Sequence, residues 1–428
     1  MDNSFHFAEL TNIETQTFDN TLEHFHLMGT EGTVRENLQN SIDARLLDTD
    51  EIARIHIHLD ELEKNKIPSI DQIEEHVNSL IGGNLYTRET IAHMKEALSM
   101  ETVRVLTFED ECTKGLSIEK KQNSEYSTYE TFAYTKGIHI SEEDDQREIV
   151  RGGSHGVGKI ANNAASDIHL MFFANCDEYN RKNIGGTIQL IEHHCNDAYF
   201  RSTGYYAQWE QDGYRAYENT NHTQIFQKDT RGLKIIIPFL KEEYADRKKI
   251  IRAVCDNFFV SILEKKVEVI VSEQEYSQKI NGETILEIIN DKQFYPENCA
   301  NKSEVKKVFT PLYVQSFIEK EPIDIEMTVN DKNYHFKFFY QIDEEIKLAR
   351  IGIIRSIGMK IVDFKLKNYV RKPFNGVLMG GAVEDEYLKK LENEAHTDLS
   401  ADAIRDNKQK KEAKKFIREL TKNLVGKL

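Results

Sequence analysis

One short stretch of this sequence carries side chains whose spacing suits chemistry on a water molecule and a hard cation. Residues 34–45 read Val-Arg-Glu-Asn-Leu-Gln-Asn-Ser-Ile-Asp-Ala-Arg. On an α-helix, Glu36, Asn40 and Asp43 fall on one face, within about 60° of one another, and aliphatic residues cluster opposite them. This face combines an acceptor that could orient a water, a neutral oxygen ligand and a supporting carboxylate. The glycines and threonines of residues 27–33 predict a preceding loop, with Thr33 as N-cap. An ordinary amphipathic surface helix is the alternative.

A second candidate group lies at the end of a predicted strand. Residues 102–108 read Thr-Val-Arg-Val-Leu-Thr-Phe and lead directly to Asp110, with Gly115 shortly after it. A carboxylate at a strand end, next to a glycine loop, can accept a hydrogen bond from an exocyclic amine such as that of adenine. The alternative is a strand-ending turn in which the aspartate caps the backbone.

A glycine-rich string forms the third motif. It reads Arg-Gly-Gly-Ser-His-Gly-Val-Gly-Lys over residues 151–159 and leads into a predicted helix. Glycines here let backbone N–H groups approach a polyphosphate, and the lysine adds a point charge. The candidate phosphate-binding residues are Gly153, Ser154, His155, Gly156, Val157, Gly158 and Lys159. A flexible turn is the alternative.

The same string also fits the P-loop pattern Gly-x-x-x-x-Gly-Lys. However, Ile160 stands where a P-loop has Ser or Thr, and the charged residues 142–151 precede the string instead of a buried apolar strand. Both departures argue against a P-loop.

Composition bounds the class of protein. The chain has 428 residues, enough for two or three domains, and its net charge of −16 argues against coating nucleic acid with the whole surface. No apolar run approaches the roughly 20 residues that a membrane helix needs, and the N-terminus lacks secretory features. Five scattered cysteines without a Cys-x-x-Cys pair argue against a disulfide framework and a zinc site. We therefore expect a cytoplasmic location and no membrane partner.

Helical and strand patterns alternate along the chain and predict an α+β protein. Beyond residue 240, short strands with Asn-Gly and Asn-Asp hairpin signals indicate a second α+β domain. From residue 384 the chain reads as helical, and residues 405–427 carry nine basic and three acidic side chains. This basic segment fits an amphipathic helix that docks on the protein or a partner, or alternatively a nucleic-acid contact.

The three motifs, in this order, resemble those of the GHKL ATPases, which include the heat-shock ninety chaperones, gyrase B, MutL and MORC proteins. Residues 34–44 are particularly similar to the MutL form of the first motif. The resemblance implies a Bergerat-type α/β sandwich ATPase domain over residues 1–240. It further implies a transducer-like α+β domain over 241–383 and a helical tail over 384–428. We expect the protein to belong to a divergent bacterial branch of this superfamily, of the kind found in host-defence or mobile-element loci.

The resemblance also implies roles for individual residues, with ATP and Mg²⁺ as cofactors. Glu36 would be the general base that orients the attacking water. Asn40 would be the protein ligand of Mg²⁺, and Asp43 would support the site. Asp110 would take the adenine amino group, and Gly115 would belong to the loop beside it. The glycine string would hold the phosphates, and residues 116–152 would form the ATP lid.

Two departures from the family pattern concern the adenine side. The usual Asp-x-Gly-x-Gly is here Asp-Glu-Cys-Thr-Lys-Gly, one residue longer and without its first glycine. Where many members place a threonine after a glycine near the adenine, this chain has Gly232 and Leu233. The threonine contact is therefore expected to be absent.

A cation from the transducer domain commonly completes the catalytic site in this superfamily. The candidate here is the segment Arg-Ser-Ile-Gly-Met-Lys, where a glycine turn could project Arg355 or Lys360 towards the γ-phosphate. A surface turn with solvated cations is the alternative, and Lys365 and Lys367 are further candidates.

The expected function is Mg²⁺-dependent ATP binding and hydrolysis that drives a conformational change or ATP-dependent homodimerisation. A protein partner from the same bacterial defence or DNA-associated system is expected, and nucleic acid could contact the basic tail. The alternatives are a non-hydrolysing nucleotide-sensing scaffold, a histidine-kinase-like phosphotransferase and a P-loop NTPase. Kinase members lack a base such as Glu36, which argues against the phosphotransferase.

Overall fold

A computed structural model describes most of the chain, namely residues 3–14, 17–46, 51–120, 124–135, 158–210, 213–219, 224–296, 307–366, 373–392, 399–402, 404 and 406–428. The chain forms two compact units. The first unit takes its described residues from 1–140, 155–250 and 269–279, and the second from 251–268 and 280–428. Among the described helices, none is both long enough and apolar enough to cross a membrane.

The first unit contains a large sheet with helices packed against it, and a separate two-stranded sheet formed by β8 (Gln208–Glu210) and β9 (Gly213–Arg215). Its strands are β1 (Phe5–Leu10), β2 (Ala53–Glu63), β3 (Thr102–Glu111), β4 (Leu170–Cys176), β5 (Lys182–Gln189), β6 (His193–Cys195), β7 (Ala198–Tyr206), β8 (Gln208–Glu210), β9 (Gly213–Arg215), β10 (Tyr217–Glu218), β11 (Gly232–Pro238), β12 (Val267–Glu273) and β13 (Tyr276–Ile280). Its helices are α1 (Asn20–Asp43), α2 (Ile70–Asn78), α3 (Leu85–Leu98), α4 (Thr128–Tyr134) and α5 (Ile160–Ala164).

Strand β11 lies in the middle of the large sheet. The strand order is β1-β7-β5-β4-β11-β3-β2-β12-β13, with β10 beside β5 and β6 beside β7. Ile235 of β11 is opposite Phe108 of β3 on one side and Phe173 of β4 on the other, both in antiparallel pairing. Side chains from α1, α2, α3 and α5 join those of the central strands in one buried core. Each large apolar side chain buried there stabilises the fold by roughly 1.5–3 kcal/mol, so β3 and β11 are firmly held.

Helix α1 differs from its prediction at the N-terminal end. It begins at Asn20, capped by the side chain of Asp19, and is interrupted at Gly29 (φ 59°, ψ −148°) before resuming. The prediction of a loop over residues 27–33 with Thr33 as N-cap is therefore wrong. Glycine adopts a positive φ at little steric cost, so a single residue absorbs the break and the helix continues.

The second unit contains a smaller sheet with the order β14-β15-β18-β16-β17. Its strands are β14 (Ile323–Val329), β15 (Lys332–Ile342), β16 (Arg350–Ile354), β17 (Lys360–Phe364) and β18 (Phe374–Gly380). Its helices are α6 (Arg247–Leu263), which starts in the first unit, α7 (Ile285–Asn290), α8 (Thr310–Glu319), α9 (Ala382–Leu391) and α10 (Asn407–Lys427).

Helix α10 docks on the second unit through its apolar face. Phe416, Leu420 and Leu424 are buried in the same core as the sheet side chains. Lys411 and Lys414 on the other face are exposed. The predicted α+β fold with a helical C-terminal segment is thus confirmed.

Candidate functional site

The C-terminal half of α1 presents the predicted polar face. Glu36, Asn40 and Asp43 are partly exposed, whereas Val34 and Leu38 on the opposite side are fully buried. The side-chain amide of Asn40 donates a hydrogen bond of 3.0 Å to Oε1 of Glu36. This bond orients the Glu36 carboxylate and leaves the amide oxygen of Asn40 for another partner.

A buried amide pair fixes α1 against α5. Nδ2 of Asn37 donates to the carbonyl of Thr33 at 2.8 Å and to Oδ1 of Asn162 at 2.7 Å. The hydroxyl of Thr33 donates to the carbonyl of Ala161 at 3.4 Å. Since α5 follows the glycine string, these bonds hold the end of that string beside the polar face of α1.

Gly158 is the point where the string touches α1. A Cβ atom added at this residue would lie 1.8 Å from Oε1 of Glu36, a separation that non-bonded atoms cannot adopt. Only glycine therefore fits here with Glu36 in its present position. The other predicted residues of the string, which are Gly153, Ser154, His155, Gly156 and Val157, lie outside the described residues, as does most of the predicted lid.

The ammonium group of Lys159 contacts backbone carbonyls. It donates hydrogen bonds to the carbonyl of Phe132 and, at 2.7 Å, to that of Thr135, and the side chain is buried. Lys159 thus attaches the start of α5 to the end of α4. Its contact with phosphate stays a prediction.

Asp110 is buried near the end of β3 and accepts three hydrogen bonds. The hydroxyl of Ser41 donates to Oδ2 at 2.8 Å, while the hydroxyl of Thr113 (2.6 Å) and the backbone N–H of Leu233 (2.8 Å) donate to Oδ1. Burial raises the pKa of this carboxyl, and the three donors oppose that shift. Because a carboxylate offers about four acceptor positions, one position on Oδ2 stays available to a ligand.

Gly232 allows the approach of β11 to Asp110. Its φ is +144°, and a Cβ atom there would lie 2.4 Å from both the backbone oxygen and Oδ1 of Asp110. The hydroxyls around the carboxylate come from Thr113 and Ser41, neither of which the sequence analysis singled out. Signals for both were present, since Thr113 follows Asp110 by three residues and Ser41 follows Asn40.

The loop after Asp110 contains two residues with left-handed backbone conformations. Cys112 has a φ of 58° and Gly115 one of 64°. A Cβ atom at Gly115 would lie 2.4 Å from the carbonyl oxygen of Cys176. Asn175 then anchors the loop, because its side chain accepts from the N–H of Leu116 at 2.7 Å and donates to the Leu116 carbonyl at 2.8 Å.

A buried lysine near Asp110 was also missed. Lys228 is 1% exposed, and its ammonium group lies 3.4 Å from Oε1 of Glu109 and donates to the hydroxyl of Thr230 at 2.8 Å. Its positive charge favours the ionised form of Asp110 and so partly offsets the effect of burial on that pKa.

Helix α1 therefore carries both ends of the candidate site. Glu36 contacts Gly158, and Ser41, five residues later, donates to Asp110. Five residues of helix span about 7.5 Å. The structure thus brings the Glu36–Asn40 pair together with Gly158 and Asp110, which lie far from that pair in the sequence.

The two predicted catalytic cations lie in the second unit and are buried. Nε of Arg355 lies 3.6 Å from Oδ2 of Asp385, and Nζ of Lys360 lies 3.1 Å from Oδ1 of Asp363. Arg355 is 0% and Lys360 is 8% exposed, so the alternative of a surface turn with solvated cations is wrong. Their proposed reach to a phosphate stays a prediction.

No protein-family model matches this chain. No curated protein sequence matches it either. The chain is similar to a solved structure, the ATPase region of Saccharomyces cerevisiae topoisomerase II. The match covers 81% of this chain and 72% of the topoisomerase chain, at 10% identity and a TM-score of 0.34. A likeness at this identity and TM-score says nothing about the activity of this chain.

Proposed function

We propose that the protein is a Mg²⁺-dependent ATPase of the GHKL kind, with its nucleotide bound along the C-terminal half of α1. One observation carries this proposal. A single helix sets a carboxylate–amide pair, 3.0 Å apart, against Gly158 at one end and offers a hydroxyl to the buried Asp110 at the other. The first end suits the phosphates of the nucleotide, and the second suits its nucleobase.

In this proposal Glu36 acts as the base that positions the attacking water. The Asn40 amide holds the carboxylate in place, so little reorganisation is needed when the water is bound. The residues fit Mg²⁺, because the Asn40 amide oxygen is a hard neutral ligand and Mg²⁺ usually keeps several water and phosphate ligands. When bound, the ion would neutralise charge on the phosphates.

Asp110 would select the nucleobase. Its remaining acceptor position suits the exocyclic amino group of adenine, which is a donor. Guanine presents a carbonyl oxygen at the equivalent position, and two acceptors facing each other in a buried site are unfavourable. We therefore propose ATP rather than GTP as the nucleotide.

The wider consequences are part of the same proposal. Residues 1–240 would form the nucleotide-binding domain, 241–383 a transducer-like domain and 384–428 a helical tail. Nucleotide binding would drive dimerisation or a conformational change, with Arg355 or Lys360 sensing the γ-phosphate. The bacterial defence or DNA-associated setting follows from the sequence resemblance, and the exposed lysines of α10 support a nucleic-acid contact.

Replacing Glu36 by alanine tests the chemistry. We expect Glu36→Ala to abolish ATP hydrolysis and to bind ATP about as well as the wild type, because Glu36 is proposed to contact the water. Turnover is measured by phosphate release and binding by calorimetry. Glu31→Ala, a change at an exposed position of the same helix, is the matched control and should hydrolyse ATP normally.

Three results would count against the proposal. Turnover retained by Glu36→Ala would mean that Glu36 is not the catalytic base. Loss of ATP binding together with loss of turnover would make Glu36 a structural or binding group. A wild-type chain that binds ATP without hydrolysing it would instead be the non-hydrolysing scaffold.

A further inference from the structure

Helix α10 exposes a row of cations that the proposed ATPase chemistry does not use. On an α-helix the members of this row fall within about 80° of one another, and the row is about 21 Å long. Every one of these side chains is exposed. We call this row the basic stripe, and it consists of Lys408, Lys411, Lys415, Arg418 and Lys422.

The packing of α10 fixes the direction in which the basic stripe points. Ala413, Phe416, Leu420 and Leu424 are buried in the core of the second unit, and they lie on the side of the helix opposite the stripe. Turning the helix over would expose these side chains and bury the cations, which is strongly unfavourable. The cations are therefore held in a straight row towards solvent, and the backbone that carries them is ordered before any ligand binds.

Most of the positive charge of the stripe has no negative partner. In the part of the chain that the structure describes, Lys408, Lys411 and Lys422 form no ion pair. Lys415 donates a hydrogen bond of 3.1 Å to Oδ1 of Asn330. Because this amide is neutral, it positions the ammonium group and leaves its charge uncompensated.

The two acidic residues of α10 lie beside the stripe. Burial raises the pKa of Tyr334 and Tyr387, and Glu412 adds to both shifts, so its carboxylate lies near these two rings. Glu419 lies 3.4 Å from Arg418, yet 72% of the Arg418 side chain is exposed. Since an exposed ion pair contributes little free energy, Arg418 can exchange this carboxylate for another anion.

A straight row of cations fits a regular polyanion. Duplex DNA carries one phosphate per about 3.4 Å along each strand, so a stripe of about 21 Å faces about six base pairs. The stripe offers no aromatic ring on which an unpaired base could stack, which disfavours a single strand. It also offers no neutral polar group for a 2′-hydroxyl, which disfavours RNA.

An anionic membrane is the other polyanion that a lysine-rich helix could contact. Helices that lie in a membrane surface bury an apolar face at the acyl boundary. In α10 that face is already packed in the protein core, so only electrostatic attraction would remain. Duplex DNA requires no apolar contact and is therefore the better fit.

We propose that the basic stripe is a docking surface for the phosphate backbone of double-stranded DNA, without recognition of base sequence. This inference deepens the nucleic-acid contact of the proposed function and rests on it. Lysine and arginine side chains would replace the counterions of the phosphates, so the affinity should depend steeply on salt. For four or five phosphates, the slope of log K against log salt is about −3.6 to −4.5.

Fluorescence anisotropy of a labelled duplex of about 20 base pairs, titrated with the full chain in the absence of nucleotide, tests the proposal. We expect micromolar binding at low salt, equal for two unrelated base sequences. Between about 50 and 200 mM salt the affinity should fall by at least about 100-fold.

A stripe variant and a control variant remove the same charge at different places. The stripe variant replaces the lysines without an ion pair and is Lys408→Gln/Lys411→Gln/Lys422→Gln. It should bind the duplex at least tenfold more weakly at low salt, with a salt slope shallower by about 2.7. The control variant changes exposed lysines of the second unit outside α10 and should bind normally; it is Lys292→Gln/Lys337→Gln/Lys347→Gln.

The stripe variant keeps the apolar face of α10, and circular dichroism melting checks that it is folded. Without DNA it should hydrolyse ATP at the wild-type rate. A wild-type chain that binds the duplex but does not hydrolyse ATP would thus refute the proposed ATPase and not the docking surface. Absence of duplex binding by the wild type, or equal weakening in both triple variants, would overturn the proposal. Tighter binding of single-stranded DNA, of duplex RNA or of phosphatidylserine vesicles would overturn it too.

Discussion

Asp110→Asn is the substitution that most directly separates recognition of the nucleobase from stability of the fold. The amide has nearly the same shape as the carboxylate, so its oxygen can keep the hydrogen bonds from Thr113 (2.6 Å) and Leu233 (2.8 Å). The hydroxyl of Ser41 has to reverse and accept from the new NH₂ group. Hydrogen bonds to a charged group are stronger by about 1 kcal/mol than neutral ones, but a buried charge is removed at the same time. We expect a net loss of stability of roughly 1–2 kcal/mol.

The effect on nucleotide selection should be larger and specific. The adenine amino group would meet the new NH₂ group, so one hydrogen bond is lost and two donors face each other. Leaving a buried donor unsatisfied costs about 1–3 kcal/mol, which raises the Kd for ATP by about 5- to 150-fold. The guanine carbonyl would instead gain a donor. The preference for ATP over GTP should therefore narrow or reverse.

The assay is calorimetric titration of ATP and of GTP, with urea denaturation on the same samples. Asp256→Asn is the matched control, because Asp256 also accepts hydrogen bonds from two hydroxyls, those of Tyr295 and Thr310. It should lose stability without a change in the ATP-to-GTP ratio. An unchanged ATP affinity in folded Asp110→Asn protein, or an equal loss for both nucleotides, would refute base reading by Asp110.

Two further predictions concern packing and pH. Gly158→Ala places a Cβ 1.8 Å from Oε1 of Glu36, so the base or the loop must move by more than 1 Å. A displacement of this size costs about 100-fold in turnover, whereas Gly426→Ala, where a Cβ meets nothing within 4 Å, should leave phosphate release unchanged. The second prediction rests on His76, whose pKa is lowered from 6.5 to about 4 by burial and then by His193. Since the unfolded chain takes up the proton first, stability should fall between pH 6.5 and 4 by up to about 1.4 kcal/mol per pH unit. Urea denaturation across this range should show a shallower slope for His76→Gln, and an identical slope would contradict the assignment.

Features of the site that depend on short-range spacing could be predicted from the sequence. The polar face of α1 follows from helical periodicity alone, and Glu36 and Asn40 do meet across one turn. The strand pattern before Asp110 predicted its place near the end of β3, where the structure has it. Periodicity did not reveal the course of residues 27–33, because one glycine with positive φ can join two helical segments.

Features that depend on contacts between distant segments could not be predicted. The donors of Asp110 include Ser41, 69 residues earlier, and Leu233, 123 residues later. Residue spacing carries no information about such pairs until the strand order is known. The ammonium group of Lys159 ends a long flexible side chain. The glycine pattern therefore could not predict that this group contacts the end of α4.

The position of Leu233 has a consequence for the order in which the molecule is made. Its N–H completes the shell of Asp110, and β11 completes the pairing of β3, yet both are translated long after Asp110 leaves the ribosome. At about 5–20 residues per second, the intervening 123 residues take roughly 6–25 s to synthesise. During that interval the edge of β3 that later pairs with β11 has no native partner, and an unpaired strand edge can pair with another chain. A nascent chain that stops before Leu233 should therefore depend on chaperones, whereas one that has passed β11 can close its sheet.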